Sequence, residues 1–299
     1  MVEGSSSGRA VNEAAEAFVT SADGLRLRYQ VLGPPDGDQP PLLCAAGGPG
    51  RASEYLGNLG GLDARRRIVR LDTRGTGRSE APDGPDGYAV EHLVDDLDRV
   101  RADLGVETID LLGHSAGGPP ALAYAAAHPD RVRRLVLATT YLSPPDDVEQ
   151  QREAIRSARS GEPWYPEAAD AAEGLPYARA AEQQRLSRLQ RPFYYGVWNE
   201  RTQEHAASAD RQMSPRAEAG ISAGWRALAS RADEITGIAT RTLVLAGGLD
   251  VITPPPGGEQ LAASLPNAVL VVLDGVGHFP WVDGPDAFVA AVDGFLSAA

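Results

Sequence analysis

The sequence predicts an α/β fold with a mostly parallel sheet of about eight strands and helices on both faces. Short apolar runs alternate with segments of helical periodicity along most of the 299-residue chain. A stretch rich in charges and alanine, residues 141–236, interrupts this alternation and shows no strand pattern. We therefore expect a core formed by residues 17–140 and 237–299, with a helical cap (residues 141–236) inserted over the sheet's C-terminal edge.

The elements follow in order after a Ser/Gly-rich stretch, residues 1–16, that we expect to be a flexible lead-in. The first two strands are joined at Asp23-Gly24, a dipeptide typical of hairpin turns. The apolar runs that predict strands are 17–20, 25–32, 41–46, 67–71, 109–112, 132–139, 241–246 and 269–274. Helical spacing of apolar residues predicts helices at 90–104, 121–127 and 285–296.

Composition and charge restrict the classes of protein that this chain can represent. The formal net charge of -13 argues against nucleic acid as a partner and gives no attraction to anionic membranes. The single cysteine, Cys44, excludes an intrachain disulfide and a cysteine-rich metal site. We find no apolar segment long enough to span a bilayer and no signal-peptide pattern, so we expect a cytoplasmic protein. The oligomeric state is not predicted.

The most informative motif is Gly113-His114-Ser115-Ala116-Gly117, which stands between an apolar run and an alanine-rich helical run. This order predicts a strand, a sharp turn and a helix, with small flanking residues that tolerate strained dihedrals at the serine. The Ser115 hydroxyl would then stand at a helix N-terminus, where the helix dipole favours negative charge. The pentad alone also fits an ordinary turn with a serine cap.

A nucleophilic serine needs a base, and the base needs an orienting acid. Among the five histidines, His278 stands in a glycine-containing loop between a strand and the last helix, so we assign it as the base. We expect His92, His128 and His205 at the surface. The ring of His114 should point away from the serine and pack behind it.

The acid is expected at the end of another strand. Asp250 follows the run at 241–246 by one short turn. The competing strand end, Thr139-Thr140-Tyr141, offers no carboxylate before Asp146. We therefore predict a catalytic triad of Ser115, Asp250 and His278, which needs no metal ion or organic cofactor.

Acyl chemistry also needs hydrogen-bond donors for a developing oxyanion. The backbone N–H of Ala116 is the first predicted donor. The second is expected from Gly47-Gly48-Pro49-Gly50, with Gly48 favoured. A plain tight turn is the alternative for this loop, whereas a phosphate-binding loop is disfavoured because no Lys-Ser/Thr pair follows.

These motifs resemble the α/β-hydrolase superfamily from about residue 18 to residue 295, and the chain order Ser, Asp, His is that of its triads. Three stretches look like the proline-iminopeptidase-like branch: Gly47-Gly48-Pro49-Gly50, Asp72-x-Arg74-Gly75-x-Gly77-x-Ser79 and Gly113-x-Ser115-x-Gly117-Gly118. Two positions depart from that branch. Ala46 replaces a histidine and Pro119-Pro120 replaces a tryptophan, which weighs against peptidase activity but leaves hydrolysis intact.

The resemblance implies further roles in the loops and the cap. In that branch, cap glutamates hold the free amine of the substrate, and Glu200 and Glu204 are the corresponding candidates here. We take Asp72 and Arg74 as residues that brace their loop. The cap aromatics are expected to line an apolar pocket or to join cap and core, with Tyr195 and Trp198 at the substrate; they are Trp164, Tyr165, Phe193, Tyr194, Tyr195, Trp198 and Trp225.

The preferred function is a serine hydrolase that cleaves an ester or amide of a small to mid-sized substrate, a small molecule or a short peptide, with an aminopeptidase-like activity as one form. A second hypothesis keeps the triad for carboxylesterase or lactonase action, acyl transfer, cyclisation or a lyase reaction, since fold does not fix function. A third is a non-catalytic ligand-binding protein, against which the intact Ser, His and Asp argue.

Overall fold

The structure is a computed structural model that describes residues 14–34, 39–229 and 236–298. The strands are β1 (Ala15–Thr20), β2 (Arg26–Leu32), β3 (Leu42–Ala45), β4 (Ile68–Leu71), β5 (Ile109–His114), β6 (Val132–Ala138), β7 (Arg241–Gly247) and β8 (Ala268–Leu273). They form one eight-stranded sheet in the order β1-β2-β4-β3-β5-β6-β7-β8. Pairing is antiparallel from β1 to β2 and from β2 to β4, and parallel elsewhere.

The strand order creates a switch point between β3 and β5. The chain leaves β3 toward β4 on one side, and β5 then pairs with β3 on the other. In open α/β sheets, ligands bind at the carboxyl ends of the strands beside such a point. The loop after β3 and the turn after β5 meet there.

The described helices are α1 (Val90–Asp103), α2 (Gly118–Ala127), α3 (Val148–Ser157), α4 (Tyr165–Gly174), α5 (Ala180–Leu189), α6 (Glu200–Gln212), α7 (Pro215–Ala229), α8 (Pro255–Ser264), α9 (Pro280–Asp283) and α10 (Pro285–Ser297). Short 3₁₀ helices stand at Ser53–Leu56, Leu59–Ala64, Pro85–Tyr88, Ser115–Gly117, Pro129–Arg131, Leu175–Tyr177 and Arg191–Tyr194. No helix among the described residues is both long and apolar enough to cross a membrane.

Apolar clusters cover both faces of the sheet. One joins the sheet to α1, α2 and α8 through Leu97, Leu122 and Leu261, among others. The other joins the opposite face to α10 through Phe288 and Val292. Because both faces are covered, β3, β4 and β5 are buried along their whole length rather than at alternate positions. The predicted α/β class and the eight strands are confirmed.

The structure differs from the predictions at two places. Strand β1 already begins at Ala15, so Glu16 belongs to the sheet and not to the lead-in; residues 1–13 lie outside the described part. Helix α8 was not predicted, because its Pro-Pro-Gly-Gly start is typical of a loop. Its prolines stand in the first turn, where backbone N–H groups have no helical partner to lose.

Helices α3–α7 stand between β6 and β7, where the helical cap is predicted. Two apolar clusters connect them to the core. Ala217 and Ile221 of α7 pack on Tyr88, and Phe193 packs on Val251 after β7. Among described residues, the cap and the core also meet in an isolated bridge from Arg51 to Met213.

Candidate active site

Ser115 occupies a strained position between β5 and α2. Its φ of 51° lies in the left-handed region, which residues with a Cβ rarely adopt. Close packing on both sides accounts for the neighbouring glycines. A Cβ on Gly117 would overlap the carbonyl of Ala45, and a Cβ on Gly113 would lie 2.6 Å from the Gly117 carbonyl oxygen. The elbow predicted from the pentad therefore exists, with Ser115 at the switch point of the sheet.

Asp250 and His278 form a buried pair at the same sheet edge. Nδ1 of His278 lies 2.8 Å from Oδ2 of Asp250, and the carboxylate is fully buried. That carboxylate also accepts hydrogen bonds from the backbone N–H groups of Ile252 and Thr253 and from the Thr253 hydroxyl. Since the acidic partner only accepts, Nδ1 carries the proton and Nε2 keeps a free lone pair for base catalysis.

Backbone contacts fix the loop that carries His278. The N–H of Leu249 donates to the carbonyl of Val276 at 2.8 Å. The N–H of His278 donates to the carbonyl of Tyr194 in the cap, also at 2.8 Å. In addition, Asp283 accepts from the N–H groups of Gly196 and Gly277. The base is thereby tied to β7 and to the cap.

Two threonines after β6 connect the nucleophile to the base. The hydroxyl of Thr140 donates to the carbonyl of Ser115 at 2.7 Å, and the hydroxyl of Thr139 donates to the carbonyl of His278 at 3.1 Å. Both threonines are buried. The Ser115 hydroxyl itself makes no hydrogen bond within 3.5 Å to the described residues. In enzymes without substrate the nucleophile–base contact is often longer than in the complex.

A polar chain behind the elbow connects the glycine loop to the base. The N–H of Gly47 donates to the Tyr55 hydroxyl at 2.7 Å, and that hydroxyl lies 2.6 Å from Nδ1 of His114. Nε2 of His114 lies 3.0 Å from the carbonyl of His278. A carbonyl only accepts, so we assign the proton of His114 to Nε2. Burial, together with the nearby His278, lowers the pKa of His114 well below its usual range, which keeps the ring neutral.

The glycine loop packs directly on the elbow. A Cβ on Gly47 would lie 2.5 Å from the carbonyl oxygen of His114 and 3.2 Å from the backbone nitrogen of Ala116. This close approach brings Gly48, with its φ of 126°, to the wall of the cavity in front of His278. The glycine loop and the first turn after Ser115 are thus neighbours, although Gly48 lines this cavity and Ala116 lines a second, smaller one.

The cavity in front of His278 has a volume of about 250 Å³. Its walls come from the glycine loop, the base and the cap; the lining residues are Gly48, Arg51, Tyr55, His114, Ser187, Arg191, Tyr194, Tyr195, Ala206, Ala209, Met213, Glu218, Ile252, His278 and Phe279. A smaller, mostly apolar cavity on the other side of the elbow is lined by Ala46, Ala116 and Ile221, among others.

The predicted cap residues fall into two groups. Tyr195 lines the cavity, is buried and lies with its hydroxyl 2.7 Å from Nδ1 of His205. Trp198 is half-buried and packs on Tyr195, but it does not reach the cavity lining. Glu200 and Glu204 are exposed at the start of α6 and also lie outside that lining.

The expectation of a surface position for His205 is wrong. Its ring packs edge-on against Phe279, and its Nε2 lies 3.0 Å from the carbonyl of Tyr55. The side chain joins the cap to the core because α6 lies directly over the 3₁₀ helix Ser53–Leu56. The expected packing role of His114 and the bracing role of Arg74, which pairs with Asp96 at 2.7 Å, agree with the structure.

Sequence reasoning missed several residues at the site. Thr139 and Thr140 stand at a strand end beside β5, and that position was a usable signal. Tyr55, Arg51 and Glu218 come from loops and helices whose approach to the site depends on packing over long sequence distances, and their sequence context offers no signal.

A strained serine elbow on a mostly parallel sheet, with a His–Asp pair at the same edge, defines the class of α/β-hydrolases. The chain belongs to the alpha/beta hydrolase fold family, whose model matches residues 40–285.

Known proteins are similar to this chain to different extents. The 2-hydroxymuconate semialdehyde hydrolase of Pseudomonas putida is 31% identical over 238 residues, which cover 78% of each chain. The proline iminopeptidase of Lactobacillus helveticus (strain DPC 4571) is 35% identical over only 124 residues, 40% of this chain and 42% of that protein. The crystal structure of the enol-lactonase from Burkholderia xenovorans LB400 has a TM-score of 0.70 at 24% identity and covers 94% of this chain and all of its own. The last likeness concerns the fold alone.

Proposed function

We propose that this protein is a serine hydrolase that cleaves ester or lactone bonds of small to mid-sized substrates through an acyl-enzyme. The buried pair of His278 Nδ1 and Asp250 Oδ2, 2.8 Å apart at the sheet edge that carries Ser115, is the observation that supports it best. The cavity of about 250 Å³ in front of this pair is compatible with a substrate of this size.

The proposed reaction uses the groups in a fixed order. Nε2 of His278 takes the proton of Ser115 while Oγ attacks the substrate carbonyl carbon, and Asp250 stabilises the imidazolium that forms. The backbone N–H groups of Gly48 and Ala116 stabilise the oxyanion. His278 then gives its proton to the leaving oxygen: the alcohol of an ester departs, whereas the hydroxyl formed from a lactone stays on the acyl chain. Water activated by the same imidazole then releases the acid.

Substrates without a free amine fit this cavity better than aminopeptidase substrates. The two glutamates proposed for amine binding, Glu200 and Glu204, lie outside the lining. Glu218 is the carboxylate among the lining residues, while Arg51 and Arg191 contribute two cations. A proline-iminopeptidase-like activity would have to use Glu218 for the amine. A panel of p-nitrophenyl esters and amino-acid p-nitroanilides separates these activities.

The first prediction concerns the nucleophile. The variant Ser115→Ala should lose hydrolysis of p-nitrophenyl butyrate and covalent labelling by a fluorophosphonate, because no other hydroxyl occupies the elbow. The rate and the labelled fraction are measured by absorbance and intact-protein mass spectrometry. Thermal unfolding should stay close to that of the parent protein.

The variant Ser187→Ala is the matched control, since Ser187 lines the same cavity but lies in α5, away from the His–Asp pair. It should keep the fluorophosphonate label. Retained labelling in Ser115→Ala, mapped to another residue, would overturn the assignment of the nucleophile. Tight ligand binding by a protein that hydrolyses no activated ester would instead support the non-catalytic hypothesis.

A further inference from the structure

Arg51 introduces a buried positive charge into the wall of the cavity. The residue is only 5% exposed, and it lines the same cavity as Gly48 and His278. No carboxylate of the residues that the structure describes lies within 4.0 Å of its guanidinium. A buried charge is unfavourable unless hydrogen-bond acceptors or an opposite charge compensate it.

The contacts of Arg51 hold the guanidinium in place without neutralising it. Its Nε donates to the side-chain carbonyl of Gln212 at 2.9 Å, and Nη2 donates to the carbonyl of His205 and to the Ser208 hydroxyl, each at 3.0 Å. These three acceptors carry no charge. Nη1 makes no hydrogen bond within 3.5 Å to described residues.

Aromatic rings support the guanidinium from the core side. Its central carbon lies 4.6 Å from the ring centre of Tyr55 and 5.6 Å from that of Phe279. Burial lowers the pKa of Arg51, while the nearby hydroxyls of Tyr195 and Tyr55 act in the opposite direction. The group is therefore held in one orientation and is largely buried, so a charge-assisted hydrogen bond to it is strong.

Two other arginines, Arg191 and Arg159, differ from Arg51 in their charge partners or in their access to the cavity. Arg191 lines the same cavity, but it is paired with Asp210 at 2.6 Å. Arg159 is buried and has three carbonyl acceptors, but it does not line this cavity. Glu218 is part of the lining, yet it lies more than 4.0 Å from Arg51. Arg51 thus combines burial, an unpaired charge and access to the substrate.

We propose that Arg51 binds a carboxylate of the substrate, so that the enzyme acts on esters or lactones that carry a second, ionised carboxyl group. This inference rests on the proposed hydrolase function and specifies its substrate class. The carboxylate would accept from Nη1, in the cavity that His278 also lines. The net charge of -13 gives such an anion no general attraction, so the preference must come from this local group.

Two pairs of matched esters test the preference in the parent enzyme. Mono-p-nitrophenyl adipate and methyl p-nitrophenyl adipate differ only in a charge on the acyl side. The pair 4-acetoxybenzoate and methyl 4-acetoxybenzoate differs only in a charge on the leaving group. We expect kcat/KM for the acid to exceed that for its methyl ester by about tenfold in at least one pair. No preference for the acid in either pair would overturn the inference.

Variants then assign the preference to the residue. Arg51→Gln should lower the acid-to-neutral ratio of kcat/KM by about tenfold. The matched control Arg191→Gln should keep the ratio, because that arginine already has a carboxylate partner, Asp210, which it shares with Arg188. An unchanged ratio in Arg51→Gln, or an equal fall in both variants, would mean that Arg51 only joins cap and core. If Arg51→Gln does not fold, Arg51→Lys is measured instead. Because lysine keeps the positive charge, kcat/KM of this variant should still be higher for the acid than for its methyl ester.

A binding measurement separates this inference from the proposed hydrolysis. Monomethyl adipate presents one carboxylate and one uncharged ester, and Ser115→Ala should bind it without cleavage. Calorimetry should show a Kd about tenfold higher when Arg51→Gln is added. If the parent protein hydrolyses no ester but still binds monomethyl adipate through Arg51, the proposed hydrolase function fails and the proposed carboxylate-binding role of Arg51 stands. If esters are hydrolysed but monomethyl adipate does not bind, only the carboxylate-binding role of Arg51 is overturned and the hydrolase function stands.

Discussion

At the scale of single residues, Thr139 and Thr140 show how backbone groups are held at the site. Each donates its hydroxyl to a carbonyl, one of His278 and one of Ser115, from adjacent positions after β6. Neither side chain touches a reacting atom, so we regard both as positioning residues. The distance between nucleophile and base depends on such contacts, and misplacement by about 1 Å can reduce a rate about a hundredfold.

The variant Thr140→Val tests this role, because valine keeps the shape and removes the donor. We expect the free energy of unfolding to fall by about 1 kcal/mol, as for one lost buried hydrogen bond. The value of kcat should fall while KM changes little. Thr242→Val is the control: this buried threonine of β7 donates to the carbonyl of Thr240, away from the site. It should lose similar stability and keep kcat; equal kcat values in both variants would exclude the positioning role.

The same scale shows where sequence reasoning reaches its limit. Asp250 and His278 could be predicted because each follows a strand, and parallel strands end at one edge. Tyr55 could not, since its contact with His114 joins residues 59 positions apart through a 3₁₀ helix without an apolar period. Arg51 contacts Gln212 across 161 positions, and that contact depends on how the cap lies on the core. Local patterns contain no information on such packing.

At the scale of elements, the glycine loop and the elbow act as one unit. Gly47 approaches the backbone of β5 so closely that no side chain fits, and its N–H is held by Tyr55. Because Gly48 follows Gly47 directly, its position depends on the elbow and on the 3₁₀ helix Ser53–Leu56. An oxyanion donor contributes only when it is held at the correct distance before the reaction.

The variant Gly47→Ala should therefore push the glycine loop away from the elbow. The added Cβ would lie 2.5 Å from the His114 carbonyl oxygen and 2.9 Å from the Cβ of Ser115. We expect kcat for p-nitrophenyl butyrate to fall by about a hundredfold, the effect of losing one oxyanion donor. Gly161→Ala, at an exposed position with no atom within 4 Å of the added Cβ, should keep the parental rate. A Gly47→Ala variant with parental kcat would argue against Gly48 as a donor.

At the scale of the whole molecule, the contact between cap and core includes a half-buried histidine. His205 of α6 lies between the Tyr195 hydroxyl and the carbonyl of Tyr55, next to the charged Arg51. Burial and the positive charge of Arg51 lower the pKa of His205 to about 4. Protonation would place a second cation beside Arg51 and would leave the Tyr195 hydroxyl without its acceptor.

The stability of the molecule should consequently depend on pH through this contact. Unfolded chains protonate histidine near pH 6.5, whereas the folded protein keeps His205 neutral down to about pH 4. The unfolded state therefore binds more protons in this window, and stability falls as the pH drops from about 6.5 to about 4. For His205 alone the loss amounts to about 3 kcal/mol across the window. His114, whose pKa is also lowered, acts in the same direction.

Urea unfolding at several pH values between about 4.5 and 7.5 measures this dependence. The variant His205→Gln keeps a donor and an acceptor but does not titrate, so its unfolding free energy should fall less steeply with decreasing pH than that of the parent protein. His92→Gln, at a partly exposed position in α1, should follow the parent curve. If His205→Gln and the parent protein lose stability in parallel, the histidine between cap and core is not the origin of the acid sensitivity.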